Sequence, residues 1–395
     1  KGICYYIAES EIANGFFAMH RIMGNAPRAI YGIEWNNNIT TERGPGLGGI
    51  VGPNMVLGLQ DPELYKLATT ASAPSARRAS AMAYSDANDC AILFGGYSIG
   101  PSGLSDTWKY SQITGNWQRM YPSGTPPGRY SHQMVYDSQS GIFVMFGGLN
   151  GTWLSDTWAY NPVTNTWTNM LPVSPPPGRV SHGMAYDRDM DLVVLFGGYD
   201  GTNYLSDTWT YNYNTNTWTQ KFTGSIPALR SRHAMAYDWN SKVTVLFGGI
   251  NLGGYQTDTW AYNAQTNTWA PRSPSTPPSQ RVDSTMVYDP YAGGCYLFGG
   301  MNAGTRYDDT WVYNNTLNTW KQYDMNTRPT GRSEYVAVYN DDAKKTMIFG
   351  GANLTARFAD TWFCNFKSPW QSAATWTVAG ETFNGMDWSA DGQEA

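Results

Sequence analysis

The chain is 395 residues long, carries a formal net charge of −5, and is only 14% charged while 15% aromatic. That balance excludes a nucleic-acid partner, because no basic stripe exists to neutralise phosphates, and no run of about 18 apolar residues is present to span a bilayer. Few charges among many Asn, Thr, Ser, Gly and aromatic residues suit an all-β extracellular protein. With Lys1 rather than Met at its start, the chain reads as mature or trimmed.

Residues 1–73 form a non-repeat N-terminal arm. Ile3, Ile7, Ile12, Phe16, Met19 and Met23 fall at helix-like spacing, and Gly24-Asn25-Ala26-Pro27 ends the pattern. The arm is therefore expected to be partly helical and then irregular through Asn36-Asn37-Asn38 and Gly44 to Gly52. Such an arm suits attachment or assembly. It could pack on the rest of its own chain or on a neighbour.

From residue 74 a repeat takes over. Phe-Gly-Gly begins at Phe94, Phe146, Phe196, Phe247, Phe298 and Phe349, and each copy is followed by Asp-Thr-Trp, beginning at Asp106, Asp156, Asp207, Asp258, Asp309 and Asp360. An arginine opens each copy: Arg77, Arg129, Arg179, Arg230, Arg281 and Arg332. Within a copy, four short apolar segments are separated by turn residues, which predicts four strands per unit. A spacing of about 50 residues with four strands is that of a propeller blade.

Six copies span 74–376. The last frays: Gln371 stands where a second tryptophan is due, so its closing strand is either shifted by a bulge or supplied from elsewhere, the N-terminal arm included. Residues 377–395 are a short polar tail. No Phe-Gly-Gly or Asp-Thr-Trp supports a seventh unit in 25–73.

The double glycine after an apolar strand, the Trp of Asp-Thr-Trp and a second Trp nine residues later (Trp108/Trp117, Trp158/Trp167, Trp209/Trp218, Trp260/Trp269, Trp311/Trp320) resemble the kelch repeat. The resemblance extends to kelch-type surface proteins and to the propeller domain of galactose-oxidase-like proteins. It implies an all-β, six-bladed kelch-type β-propeller of four-stranded blades around a central channel, with Trp and Tyr filling the seams. The oxidases of this type use tyrosine and histidine copper ligands. Only His20 lies outside the repeat pattern, so that ligand set is not on offer. No catalytic residue and no cofactor is expected.

His132, His182 and His233 recur three residues after their blade arginines, which reads as inner-strand scaffold with satisfied hydrogen bonds rather than a metal site. The recurring arginines and aspartates read as strand-locking pairs. Cys4, Cys90, Cys295 and Cys364 lack metal spacing; as disulfide candidates they allow three full pairings, and Cys364, which replaces a recurring tyrosine, is a candidate for covalent closure of the last repeat. Sequons at Asn38, Asn150, Asn314 and Asn353 are glycosylation candidates.

The loops between the second and third strands vary most, and equivalent loops share one face of a propeller. Trp153, Tyr204, Tyr255, Arg306, Tyr307, Arg357 and Phe358 are the candidate binding residues there, suited to stacking on sugar rings or to a protein hot spot. The first expectation is a non-enzymatic extracellular protein whose partners are proteins, including further copies of itself in a surface layer, filament or virion appendage. The alternatives are a carbohydrate-binding lectin or carbohydrate-active enzyme that binds glycans, and an intracellular kelch adaptor.

Overall fold

In the computed structural model the described residues are 5–6, 18–21 and 28–29, then 65–366 apart from 69, 71, 101 and 326. The first group is a small unit of its own, in which Tyr5–Tyr6, Ala18–Arg21 and Arg28–Ala29 pair antiparallel in that order. Strands therefore stand at two places where the apolar spacing predicts helix. Ile3 to Ile7 is a run of β-forming residues, and Gly15 interrupts the helical pattern. The rest of the expected helix, like the tail 377–395, lies outside the described residues.

The second unit is a closed ring of six four-stranded antiparallel blades. From the axis outwards, blade 1 comprises Ala81–Ser85, Cys90–Phe94, Thr107–Ser111 and Asn116–Met120. Blades 2 to 6 begin with the inner strands Gln133–Asp137, Gly183–Asp187, Ala234–Asp238, Thr285–Asp289 and Val336–Asn340. Each inner strand touches the next in cyclic order, and Val336–Asn340 returns to Ala81–Ser85. The second strands are almost wholly buried, whereas an outer strand such as Thr217–Lys221 buries its Trp218 and exposes both neighbours. That is the continuous apolar run of an interior strand beside the alternation of a half-wet one.

Blade 6 takes its outer strand from the other end of the unit. Tyr65–Leu67 pairs antiparallel with Thr361–Cys364, which resolves the two possibilities left open by the fraying of the last repeat. Closure is thus by hydrogen bonds. Cys90 and Cys295 are buried free thiols, Cys364 is buried at the end of the third strand of blade 6, and burial pushes the Cys90 thiol up to about 11. Cys4 lies outside the described residues.

Each blade arginine is buried and uses its whole fork. In blade 3, Arg179 donates from Nε to the Pro177 carbonyl (3.0 Å), from Nη1 to the Gly197 carbonyl (2.9 Å) and to Asp207 (2.6 Å), and from Nη2 to Asp207 (2.7 Å). The same aspartate accepts from the Trp209 indole at 2.7 Å. All six blades repeat this arrangement, with arginine–aspartate contacts of 2.5–2.8 Å. In blade 1, burial raises the Asp106 carboxyl, but Arg77 more than offsets this and holds it below the usual carboxylate range.

The glycine pair explains the seam. The first glycine has φ of 57–72° and the second 88–108°, conformations that cost little only without a Cβ. The second glycine donates its N–H to the carbonyl of the next blade's arginine, from Gly96 to Arg129 round to Gly351 to Arg77, at 2.9–3.0 Å. A Cβ on Gly148 would fall 2.8 Å from that of His132, so the approach itself requires glycine. Outside this ring, the second tryptophan of a blade reaches back: Trp218 donates to the Thr157 hydroxyl at 2.9 Å, and Trp117 joins blade 1 to Thr361 of blade 6.

Arg179→Met removes the countercharge of the Asp207 carboxylate, which keeps only the Trp209 indole as a side-chain donor, and takes the guanidinium from the Gly197 carbonyl; it should cost about 3–5 kcal/mol in urea unfolding. Arg179→Met with Asp207→Leu should cost less than the single change. A single variant within about 1 kcal/mol of the parent would contradict the role assigned to the fork.

Candidate interaction face

The loops between second and third strands, with the segments leading into each inner strand, gather at one end of the ring. At its centre Ala79, Ser131, Ser181, Arg232, Asp283 and Glu334 each lie two residues beyond a blade arginine, with φ of 51–60°. Each N–H donates to the carbonyl of its counterpart in the preceding blade: Ser131 to Ala79, Ser181 to Ser131, Arg232 to Ser181, Asp283 to Arg232, Glu334 to Asp283 and Ala79 to Glu334, at 2.8–3.0 Å. A circle of backbone bonds therefore frames this end of the channel.

The side chains on the circle break its symmetry. Blades 1–3 present Ala and Ser; blades 4–6 present Arg232, Asp283 and Glu334. Arg232 pairs with Asp283, and Arg78 reaches across to Glu334. Burial and the neighbouring Asp283 raise the Glu334 carboxyl above the usual range, with Arg78 and Arg232 acting against them. Beside this pair, Tyr97 lies between Arg78 and Arg357, each guanidinium 5.3 Å from its ring centroid, and Tyr130 packs at 5.2 Å.

The seven candidate binding residues occupy separate places on this rim. Trp153 is 43% exposed, and its indole lies over Gly201 of blade 3, where a Cβ would fall 2.6 Å from the ring. Tyr204 packs on Tyr199 at 5.3 Å, extending the aromatic surface on blades 2 and 3. The Tyr255 hydroxyl accepts from the Ala303 N–H (3.2 Å), and Arg306 donates to the Gly304 carbonyl (3.1 Å). Arg357 belongs with Tyr97. Tyr307 and Phe358 cover the buried guanidiniums of Arg281 and Arg332 at 4.3 and 4.1 Å, which gives both rings a place in the scaffold. Of the sequons, Asn150 is exposed, Asn314 and Asn353 use their side-chain oxygens to hold their own turns, and Asn38 lies outside the described residues.

Arg78, Tyr97, Tyr130, Arg232, Asp283 and Glu334 were not among the sequence candidates. Apart from Tyr97, which follows the Phe-Gly-Gly of blade 1, their signal was available in the positions one and two after each blade arginine, where the second runs Ala, Ser, Ser, Arg, Asp, Glu around the ring.

His132, His182 and His233 are buried at the seams, edge-on to Phe94, Phe146 and Phe196 at 5.6–5.7 Å. Contrary to expectation, none has a hydrogen-bond partner of good geometry at either ring nitrogen. They fill space. Among the described residues no group of three or more His, Cys, Asp or Glu is arranged to hold a metal, and no helix is long and apolar enough to cross a membrane.

Comparison with known proteins agrees with this architecture. The KLHDC2/KLHL20/DRC7 Kelch-repeats domain matches residues 54–175 and 170–325. Kelch domain-containing protein 1 of Mus musculus is 31% identical over 169 residues, 40% of this chain and 40% of its own length. An F-box/kelch-repeat protein of Arabidopsis thaliana is 27% identical over 315 residues, covering 67% of this chain and 64% of that protein. Multiple epidermal growth factor-like domains protein 8 of Homo sapiens is 26% identical over 164 residues, 39% of this chain and 6% of that protein. The chain thus spans less than half of the first of these relatives.

Burial, and then the adjacent blade arginine, lowers each seam histidine, His233 to about 3. A depressed histidine contributes stability that is complete above the unfolded value near 6.5 and is lost as pH falls towards the folded one, by up to about 1.4 kcal/mol per pH unit for each group. Asp289, pushed up to about 6 by burial, acts in the opposite sense. Urea midpoints measured from pH 7.5 down to 4.5 should fall, and His182→Ser should reduce the slope by about one proton. An unchanged slope in that variant would show that the histidines are not its source.

Proposed function

Because the chain belongs to the kelch-repeat family, we propose that it is a protein-recognition module that takes its partner on the loop face. The observation that carries this reading is the contrast between frame and rim. The arginine fork, glycine pair and seam bonds repeat in every blade, while the rim side chains change from blade to blade. A rigid frame that displays non-equivalent side chains is built to recognise rather than to move.

The rim suggests what it takes. Blades 5, 6 and 1 offer Arg306, Arg357 and Arg78, and the buried Nε atoms of Arg306 and Arg357 have no partner. Blades 2 and 3 offer Trp153, Tyr199 and Tyr204. A partner segment with carboxylate groups at one end and an apolar side chain at the other satisfies both. The F-box/kelch-repeat relative is named for two modules in one protein, which supports an adaptor arrangement in which the propeller selects and another part delivers.

With a photo-crosslinking residue in place of Asn150, a partner should be captured and identified by mass spectrometry. Its affinity should fall about tenfold or more, the equivalent of ~1.4 kcal/mol, in Arg357→Ala and in Trp153→Ala. Ile113→Ala, in an exposed turn at the opposite end of the strands, should bind as the parent does. A partner that binds both rim variants unchanged would refute the loop-face assignment.

A further inference from the structure

The central channel has a volume of about 270 Å³ and is lined by the inner strands of all six blades. The backbone circle frames one end. The other end opens among the turns that join first and second strands, and its side chains are of another kind. Each inner strand carries a tyrosine close to this mouth, from Tyr84 to Tyr339. Two residues further on the blades differ, with Asp86, Ser138, Arg188, Trp239, Pro290 and Asp341.

Trp239 of blade 4 reaches across the mouth. Its ring packs on Tyr288 of blade 5 at 5.4 Å and edge-on against Tyr339 of blade 6 at 5.9 Å. Arg188 of blade 3 lies over the same indole, with its guanidinium carbon 4.9 Å from the ring centroid. Asp86 of blade 1 and Asp341 and Asp342 of blade 6 supply carboxylates to this rim. The Asp86 carboxyl is pushed up to about 6 by burial and then by Asp341 and Asp342, with Arg188 and Lys344 acting the other way. Lys344 is bonded to Asp341 at 3.1 Å. The Tyr339 hydroxyl is buried, lines the channel and has no hydrogen-bond partner.

We propose that this mouth is a recognition site for an arginine side chain of a basic protein segment, and that Arg188 is the chain's own occupant of it. A tryptophan face attracts a guanidinium through its ring quadrupole, most strongly where water is partly excluded. The carboxylates outnumber the basic groups around them, so the incoming cation meets a favourable field. The unpartnered Tyr339 hydroxyl supplies an acceptor that the native contacts leave unused. The site lies at the end of the strands remote from the loop face and shares no residue with it.

The test is fluorescence anisotropy of a labelled peptide, acetyl-Gly-Arg-Gly-Arg-Gly-amide, titrated with the full chain at physiological salt. The control is the same peptide with citrulline, which keeps the shape and removes the charge. Arg188→Ala should tighten binding about fivefold or more, because the competing guanidinium is gone, and Trp239→Leu should weaken it about tenfold. The Arg188→Ala gain cannot come from misfolding, so the test survives if Trp239→Leu proves unstable. Equal binding of the citrulline peptide, unchanged affinity in Arg188→Ala, or no binding to parent and Arg188→Ala at millimolar peptide would overturn the proposal.

Discussion

The guanidinium fork buried in each blade is the contact on which the other regularities rest. A buried charge is costly unless it is paired and fully hydrogen-bonded, and here Arg179 meets both conditions through the Pro177 and Gly197 carbonyls and the Asp207 carboxylate. Those partners come from the entry to the inner strand, the end of the second and the start of the third. One side chain thus fixes the order of three strands. The backbone of the same residue accepts from Gly148 and donates to Leu154 of the preceding blade, so alignment inside a blade and alignment between blades are set at one point. Lysine could not replace it, since an ammonium on a flexible stem lacks the planar fork.

That economy leaves the two ends of the strands free to differ. At the loop end, the circle of backbone bonds accepts any side chain able to adopt positive φ, and its occupants range from Ala79 to Glu334. At the turn end, the residue after the Tyr-Asp pair is equally unconstrained, which is how Trp239 and Arg188 come to face one another. Variation has collected where the frame does not depend on it. A disc of this construction can carry two unlike surfaces without compromise to either.

The repeats made most of this architecture legible. Phe-Gly-Gly, Asp-Thr-Trp and the blade arginine could be read as scaffold because each recurs, and the structure assigns each a bond that needs that residue type. Tyr307 and Phe358 read as recognition residues because they follow Arg306 and Arg357 in variable loops. Only the structure shows that both lie over guanidiniums one repeat element away. The closing strand Tyr65–Leu67 is three residues long, too short for any periodicity to announce it. The many Asn and Thr residues, taken as a sign of the extracellular space, are employed in turns: Asn161 accepts from the N–H groups of Val163 and Thr164, and Asn212 from Thr215. Their abundance follows from the number of turns, so it does not bear on compartment.

The strand that completes blade 6 has a mechanical corollary. Because Tyr65–Leu67 and Thr361–Cys364 lie side by side, whatever precedes the propeller and whatever follows it are joined to the same sector of the disc. Tension between those flanking segments bears first on this short ladder, while the five other blades, each built from consecutive chain, are bypassed. The clasp is therefore the one sector of the ring in which a four-stranded wedge depends on both ends of the propeller's chain.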